Sequence, residues 1–192
     1  LLHYLCANRN RKCLELAKIC SQEDVERIIE VYIEDDGMSA TTKLFIQLGI
    51  EKGSTKCMEY YAAILLSQED GKKSAEGIAL YEKASVLGCE TSSVELGDIY
   101  MNGKDYSSNG GIEFNINPDL EKAIHDFERA IQKGCNCSLV KIGKIHLIQG
   151  RSEQAVKYLE LAMEQKKKRE ACIVILGLLL DGTDTIVVFL GW

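Results

Sequence analysis

Proline is almost missing: the 192-residue chain holds one. Proline breaks helix interiors, so its scarcity suits a protein of helices and short turns. A basic excess is missing too, with 23 Lys and Arg against 29 Asp and Glu and a net charge of −6. Nucleic-acid binding needs a basic face to neutralise phosphates, so no nucleic-acid partner is expected. The only basic run, Lys166-Lys167-Lys168-Arg169, reads as a solvated junction between helices. Long apolar runs are also absent. The longest, Ile173 to Leu180, is far short of the ~20 residues of a membrane span, so membrane insertion is not expected. The chain opens on Leu1 rather than methionine and shows no basic-then-apolar leader. The expectation is a fragment or processed chain with a cytoplasmic location, although a removed signal peptide would leave no trace and a larger parent protein stays open.

Cysteine is plentiful, at eight, but no metal motif accompanies it. Cys6, Cys13 and Cys20 are two helical turns apart, a rise of roughly 10 Å, beyond disulfide reach. Such spacing sets small apolar side chains along one face. Cys135 and Cys137 enclose one residue, and no CxxC or HxxxH follows. Reduced cysteines that serve packing are expected, with no metal and no cofactor.

Signs of catalysis are likewise missing. His146 occupies a slot that Tyr100 fills one unit earlier, so it reads as packing. His125 reads as solvated beside Asp126 on a polar helix face. Neither lies near a cysteine nucleophile, a serine elbow or a fixed carboxylate pair, and no catalytic residue is assigned. Asp181-Gly182-Thr183-Asp184 lacks the alternating ligands and closing glutamate of a calcium loop. Glu34-Asp35-Asp36-Gly37 reads as a turn at a helix end. Gly110-Gly111 has no GK[ST] ending and no preceding strand, so no phosphate loop is present.

What is there is a repeat. LGDIYMNG, residues 96–103, returns as IGKIHLIQG and again as LGLLLDG. Gly143 and Gly177 are 34 residues apart, while Gly97 and Gly143 are 46 apart. A polar, glycine-rich insertion at 102–117 accounts for the difference. The second half of each unit carries small, large and small residues at intervals of four and three: Ala123, Phe127, Ala130; Ala155, Leu159, Ala162; Gly77, Tyr81, Ala84; and more weakly Thr42, Ile46, Gly49. Those intervals form one helical stripe, along which small residues let a second helix approach and the large one fills the layer between. Gly53, Gly88 and Gly134 each fall four residues beyond the last stripe residue and suit a left-handed helix end. Asn117-Pro118-Asp119 reads as a cap, a first-turn proline and an acid on the positive helix end. Ser21, with Asp24 three residues on, and Ser152 read as further caps.

These signals predict an all-α chain, a right-handed α-solenoid of antiparallel helix pairs forming a single repeat domain over 1–192. The units run 1–21 (partial), 22–53, 54–88, 89–134 with its insertion, 135–168, and 169–192 (partial plus tail).

The stretch YEKASVLGCETSSVELGDIY, and LGDIYMNG with DLEKAIHDFERAIQKGC after the insertion, resemble the Sel-one-like repeat. Leu139, Ile142, Gly143, His146, Ala155, Leu159 and Ala162 also fall on the related tetratricopeptide pattern, although its usual proline is missing. The resemblance is best over 75–180. One branch of the Sel-one-like family staples its helix pairs with disulfides. The second helices of the last complete units here lack cysteine, so the chain departs from that branch.

The resemblance implies a non-enzymatic protein–protein interaction scaffold or adaptor that takes a peptide or protein in a concave groove. The alternative is a regulatory or docking module of a larger multidomain protein, such as an enzyme or kinase. By the tetratricopeptide pattern the groove is lined by Lys56, Glu59, Ala63, Thr91, Val94, Glu95, Asp98, Met101, Val140, Lys141, Lys144, Leu147, Val174 and Leu178. In the insertion, Tyr106, Ile112 and Phe114 are candidates for reaching a partner. The apolar tail, Thr185 to Trp192, covers the last helix or offers a surface for self-association.

Overall fold

A computed structural model describes residues 15, 18–36, 39–68, 71–103 and 117–164, with backbone alone at 32–36 and 71. His3, Cys6, Cys13, Tyr106, Ile112, Phe114, Val174, Gly177, Leu178, the basic run at 166–169, the turn at 181–184 and the tail at 185–192 lie outside the described residues.

Eight α-helices make up the described elements, and no strand occurs among the described residues. They fall in two compact units, Leu1–Gly88 and Cys89–Trp192. The first unit holds α1 (Gln22–Asp36), α2 (Ala40–Glu51), α3 (Thr55–Leu66) and α4 (Gly71–Val86). The second holds α5 (Glu90–Asn102), α6 (Leu120–Gln132), α7 (Cys137–Ile148) and α8 (Ser152–Glu164). Within each unit every helix packs on the one before it. Short connections between packed neighbours make them antiparallel.

The predicted stripes are the seams of these pairs. Ala123, Phe127 and Ala130 are buried, as are Ala155, Leu159 and Ala162. Gly77, Tyr81 and Ala84, and Thr42, Ile46 and Gly49, are buried in the same way. One close crossing is between α5 and α6. A Cβ at Gly97 would stand 2.5 Å from Phe127 Cε1 and 2.6 Å from its Cδ1. Hydrogen in place of a side chain is therefore what lets an edge of the Phe127 ring rest against α5. Gly143 faces Leu159 of α8 in the corresponding place, where an added Cβ would stand 2.9 Å from Leu159 Cγ. Leu96 and Tyr100 are buried beside the α5 crossing.

Gly53, Gly88 and Gly134 all have positive φ, the last at 107°, so each closes its helix in the expected left-handed turn. Gly103 ends α5 likewise. At the N-termini, Ser21 and Asp24 exchange hydrogen bonds, Asp24 N–H to Ser21 Oγ and Ser21 N–H to Asp24 Oδ2, each at 3.2 Å. The Ser21 hydroxyl, which donates to Asp24 Oδ2 at 2.6 Å, and then the Ser21 N–H hold the Asp24 carboxyl below its ordinary 3.8.

Several local expectations are corrected. The cap of α6 is Asp119, whose Oδ1 accepts from Lys122 N–H at 3.0 Å, and not Asn117. Asp119 is itself extended, at φ −126° and ψ 92°, so the helix begins at Leu120 and Pro118 lies before the cap. Ser152 is the first residue of α8 rather than its cap, because Arg151 C=O already accepts from Ala155 N–H. The acidic residues 34–36 are the last turn of α1. Two unanticipated caps, Ser39 and Ser54, accept from Thr42 N–H and Cys57 N–H.

The two ends of the insertion after α5 meet. Asp119 N–H donates to Tyr100 C=O at 2.8 Å, and Lys122 Nζ donates to Tyr100 Oη at 2.6 Å while lying over its ring.

Candidate docking surface

The candidate surface lies on the first helix of each pair. A helix buried on one side by its own second helix leaves another side toward the next first helix, and the residues between decide what it can hold.

In the second unit, Thr91, Val94, Glu95, Asp98 and Met101 recur at helical intervals along α5. Thr91 is exposed and the other four are half-buried. Lys141 and Lys144, both half-buried, run along α7. The two stripes meet at an ion pair between Lys141 Nζ and Asp98 Oδ2. Lys141 also lies 5.4 Å from the centre of the Phe127 ring. One lysine therefore ties α7 to α5 and to the α6 residue at the tight crossing.

Val140 and Leu147 do not belong to this surface: both are buried, Val140 in a cluster with Leu139, Leu159 and Ala162. One residue along a helix is a turn of about 100°, enough to move from the open side at Lys141 to the side covered by α8.

In the first unit, Lys56 of α3 pairs with Glu30 of α1. The Glu30 carboxylate holds the Lys56 ammonium above its ordinary 10.5. Glu59 is half-buried and Ala63 exposed on the same helix. Glu30 was not among the predicted groove residues, yet its register announces it. It lies nine residues beyond the cap Ser21, as Asp98 lies nine beyond the cap Cys89. Both acids reach a lysine on the next first helix. The structure thus brings together Glu30 with Lys56 and Asp98 with Lys141, and each pair links neighbouring repeats.

Second helices have links of their own. Arg151 Nη1 lies 3.3 Å from Glu121 Oε1, and Tyr158 Oη donates to Glu128 Oε1 at 3.2 Å. Burial, then Glu128, pushes the Tyr158 hydroxyl above 10.0.

The histidines divide as the sequence suggests. His146 is buried and tilts against Tyr158 at 5.4 Å between ring centres, and its Nδ1 has no hydrogen-bond partner. His125 is 65% exposed. Its neighbour Asp126 is not solvated with it but buried, because it lies three residues past Ala123 and four before Ala130, on the seam stripe itself. His125 Nδ1 and Arg129 Nη1 stand 3.6 and 3.5 Å from Asp126 Oδ1, while Oδ2 has no partner. Burial raises the Asp126 pKa above its ordinary 3.8, against the pull of Arg129 and His125. No group of three metal-donor side chains occurs among the described residues, and no described helix is long and apolar enough to cross a membrane. None of the described cysteines, Cys20, Cys57, Cys89, Cys135 and Cys137, is in a disulfide.

No protein-family model and no curated protein matches the chain. Solved structures do. The chain is similar to a Sel1 repeat protein from Oxalobacter formigenes, with a TM-score of 0.58 and 18% identity over 81% of this chain and 61% of that one. It is also similar to a protective antigen present in uropathogenic Escherichia coli strains, which displays an SLR fold. There the TM-score is 0.62 and the identity 18%, over 84% of this chain and 34% of that one. The chain therefore spans less than two thirds of the length of either. At such identity the shared property is the fold, an α-solenoid of stacked helix pairs.

Proposed function

We propose, with the Sel1-like repeat fold of this chain as premise, that it is a non-enzymatic scaffold or adaptor and that a peptide or protein docks along α5 and α7. The observation that supports this most is the mixed stripe beside the Asp98–Lys141 pair. Thr91, Val94, Glu95, Met101 and Lys144 remain open or half-open there on helices already fixed by their own packing. A preformed surface of this kind offers apolar contact and charge together without a large ordering cost.

The pairing inside the stripe dictates the experiment. Reversing Asp98 or Lys141 would loosen α5 from α7 and confuse stability with binding. Thr91→Arg and Lys144→Glu change the open surface and leave the pair alone. Affinity purification with the wild-type chain and with this double variant should lose the same partners from the variant at unchanged helicity. If the partner set is identical, docking lies elsewhere.

A further inference from the structure

The turn between α6 and α7 brings two thiols together. Cys135 follows Gly134, whose φ of 107° closes α6, and Cys135 N–H donates back to Ala130 C=O at 3.0 Å. Cys137 is the first residue of α7. Between them Asn136, at φ −69° and ψ −11°, is already helical. This entry is unlike those of α2, α3, α5 and α6, whose caps are extended.

The conformation of the middle residue fixes the distance between its neighbours. With Asn136 extended, Cys135 and Cys137 would stand ~7 Å apart, past the limit for a disulfide. With Asn136 helical, the rise and radius of an α-helix place the two Cα atoms ~5.4 Å apart, near the commonest disulfide spacing. The two thiols are close enough for Cys135, after burial, to raise the Cys137 pKa. Both are free, Cys135 buried and Cys137 half-buried.

We infer that Cys135 and Cys137 form a reversible dithiol–disulfide site at the α6–α7 turn, oxidised by a small disulfide of the glutathione class. In the first step the Cys137 thiolate attacks one sulfur of the oxidant. A protein–glutathione disulfide forms and one glutathione thiolate leaves. In the second, the Cys135 thiolate attacks the Cys137 sulfur and expels the second glutathione thiolate. Two protein thiols give up two protons and two electrons, and one glutathione disulfide becomes two glutathione thiols. The more accessible Cys137 opens the reaction and the buried Cys135 resolves it. Burial, then contact with Cys135, raises the pKa of Cys137 above 9.0, so the first step quickens as pH rises. The product staples the end of α6 to the start of α7.

The test equilibrates the full chain in graded ratios of reduced to oxidised glutathione, blocks remaining thiols with a maleimide in acid, and maps peptides by mass. The peptide carrying Cys135 and Cys137 is expected to lose two hydrogens and both maleimide adducts at oxidising ratios, and to regain them on reduction. In Cys135→Ser the oxidant is expected to stop at a glutathione adduct on Cys137. In Cys137→Ser the buried Cys135 is expected to stay reduced, with wild-type helicity by circular dichroism. Two maleimides on that peptide at every ratio, or two separate glutathiones, or a link from either cysteine to another part of the chain, each overturns the inference.

Discussion

Replacing Gly97 by alanine tests the close contact between α5 and α6. Two effects oppose each other. Alanine is the better helix former by about 1 kcal/mol, so a glycine merely tolerated in α5 would give a more stable variant. Against this, the new Cβ would lie 2.5, 2.6 and 2.7 Å from three atoms of the Phe127 ring. Carbon atoms rest at roughly 3.5–4.0 Å, so about an ångström must be found. The ring is fully buried and planar and lies under Lys141, so it cannot swing into solvent. The helices must part or the ring must leave its rotamer, a strain of about 1–3 kcal/mol and here toward the upper end. Net destabilisation of about 1–2 kcal/mol is expected, which lowers the midpoint by about 2–8 °C for a chain of this size. Repeat proteins need not melt as one unit, so the sharper assay is native-state hydrogen exchange at the amides of α5 and α6. Phe127→Leu removes the clashing ring edge and should recover much of the loss that Gly97→Ala causes, a coupling of about 0.5–3 kcal/mol in a double-mutant cycle. Additive effects, or a Gly97→Ala variant at least as stable as wild type, would refute the close crossing and with it the reading of the small-residue stripes.

Two further outcomes follow from the charges. Asp126 has a raised pKa in the folded protein, so the native state binds its proton more tightly than the unfolded chain. Its ionisation therefore costs stability as pH climbs above 3.8. Asp126→Asn should raise stability at neutral pH, and the advantage should fade as pH falls below the ordinary carboxylate range; denaturant titrations at several pH values check this, and a pH-independent difference contradicts it. Breaking the Asp98–Lys141 pair from either side, by Asp98→Asn or Lys141→Met, should cost about 1 kcal/mol, with the double variant close to either single one; equilibrium denaturation reads the coupling, and a coupling of zero removes the pair as a tie between repeats.

The architecture was legible because its signals are local and subtractive. A missing side chain at Gly97, a small one at Ala123 and a left-handed glycine at Gly134 each constrain the backbone whatever surrounds them. The proposed docking surface was half legible. Periodicity finds the stripe containing Val140 and Lys141 but not which of two neighbours the second helix covers, since that depends on where α8 lies. Asp126 was misplaced for the opposite reason, because charge outweighed position. Its spacing from Ala123 and Ala130 already set it on the buried stripe. The Cys135–Cys137 contact was not readable at all. One intervening residue permits either distance, and only the helical backbone of Asn136 selects the short one.

The hydrogen bond from Asp119 to Tyr100 makes the intervening stretch a natural splice point. With the two flanks fixed to each other, a longer segment between them leaves that bond in place. Each doubling of such a segment costs only about 0.6 kcal/mol. A fluorescent domain or an epitope could be grafted there while α5 and α6 keep their crossing, giving a reporter on the repeat fold away from the α5–α7 surface.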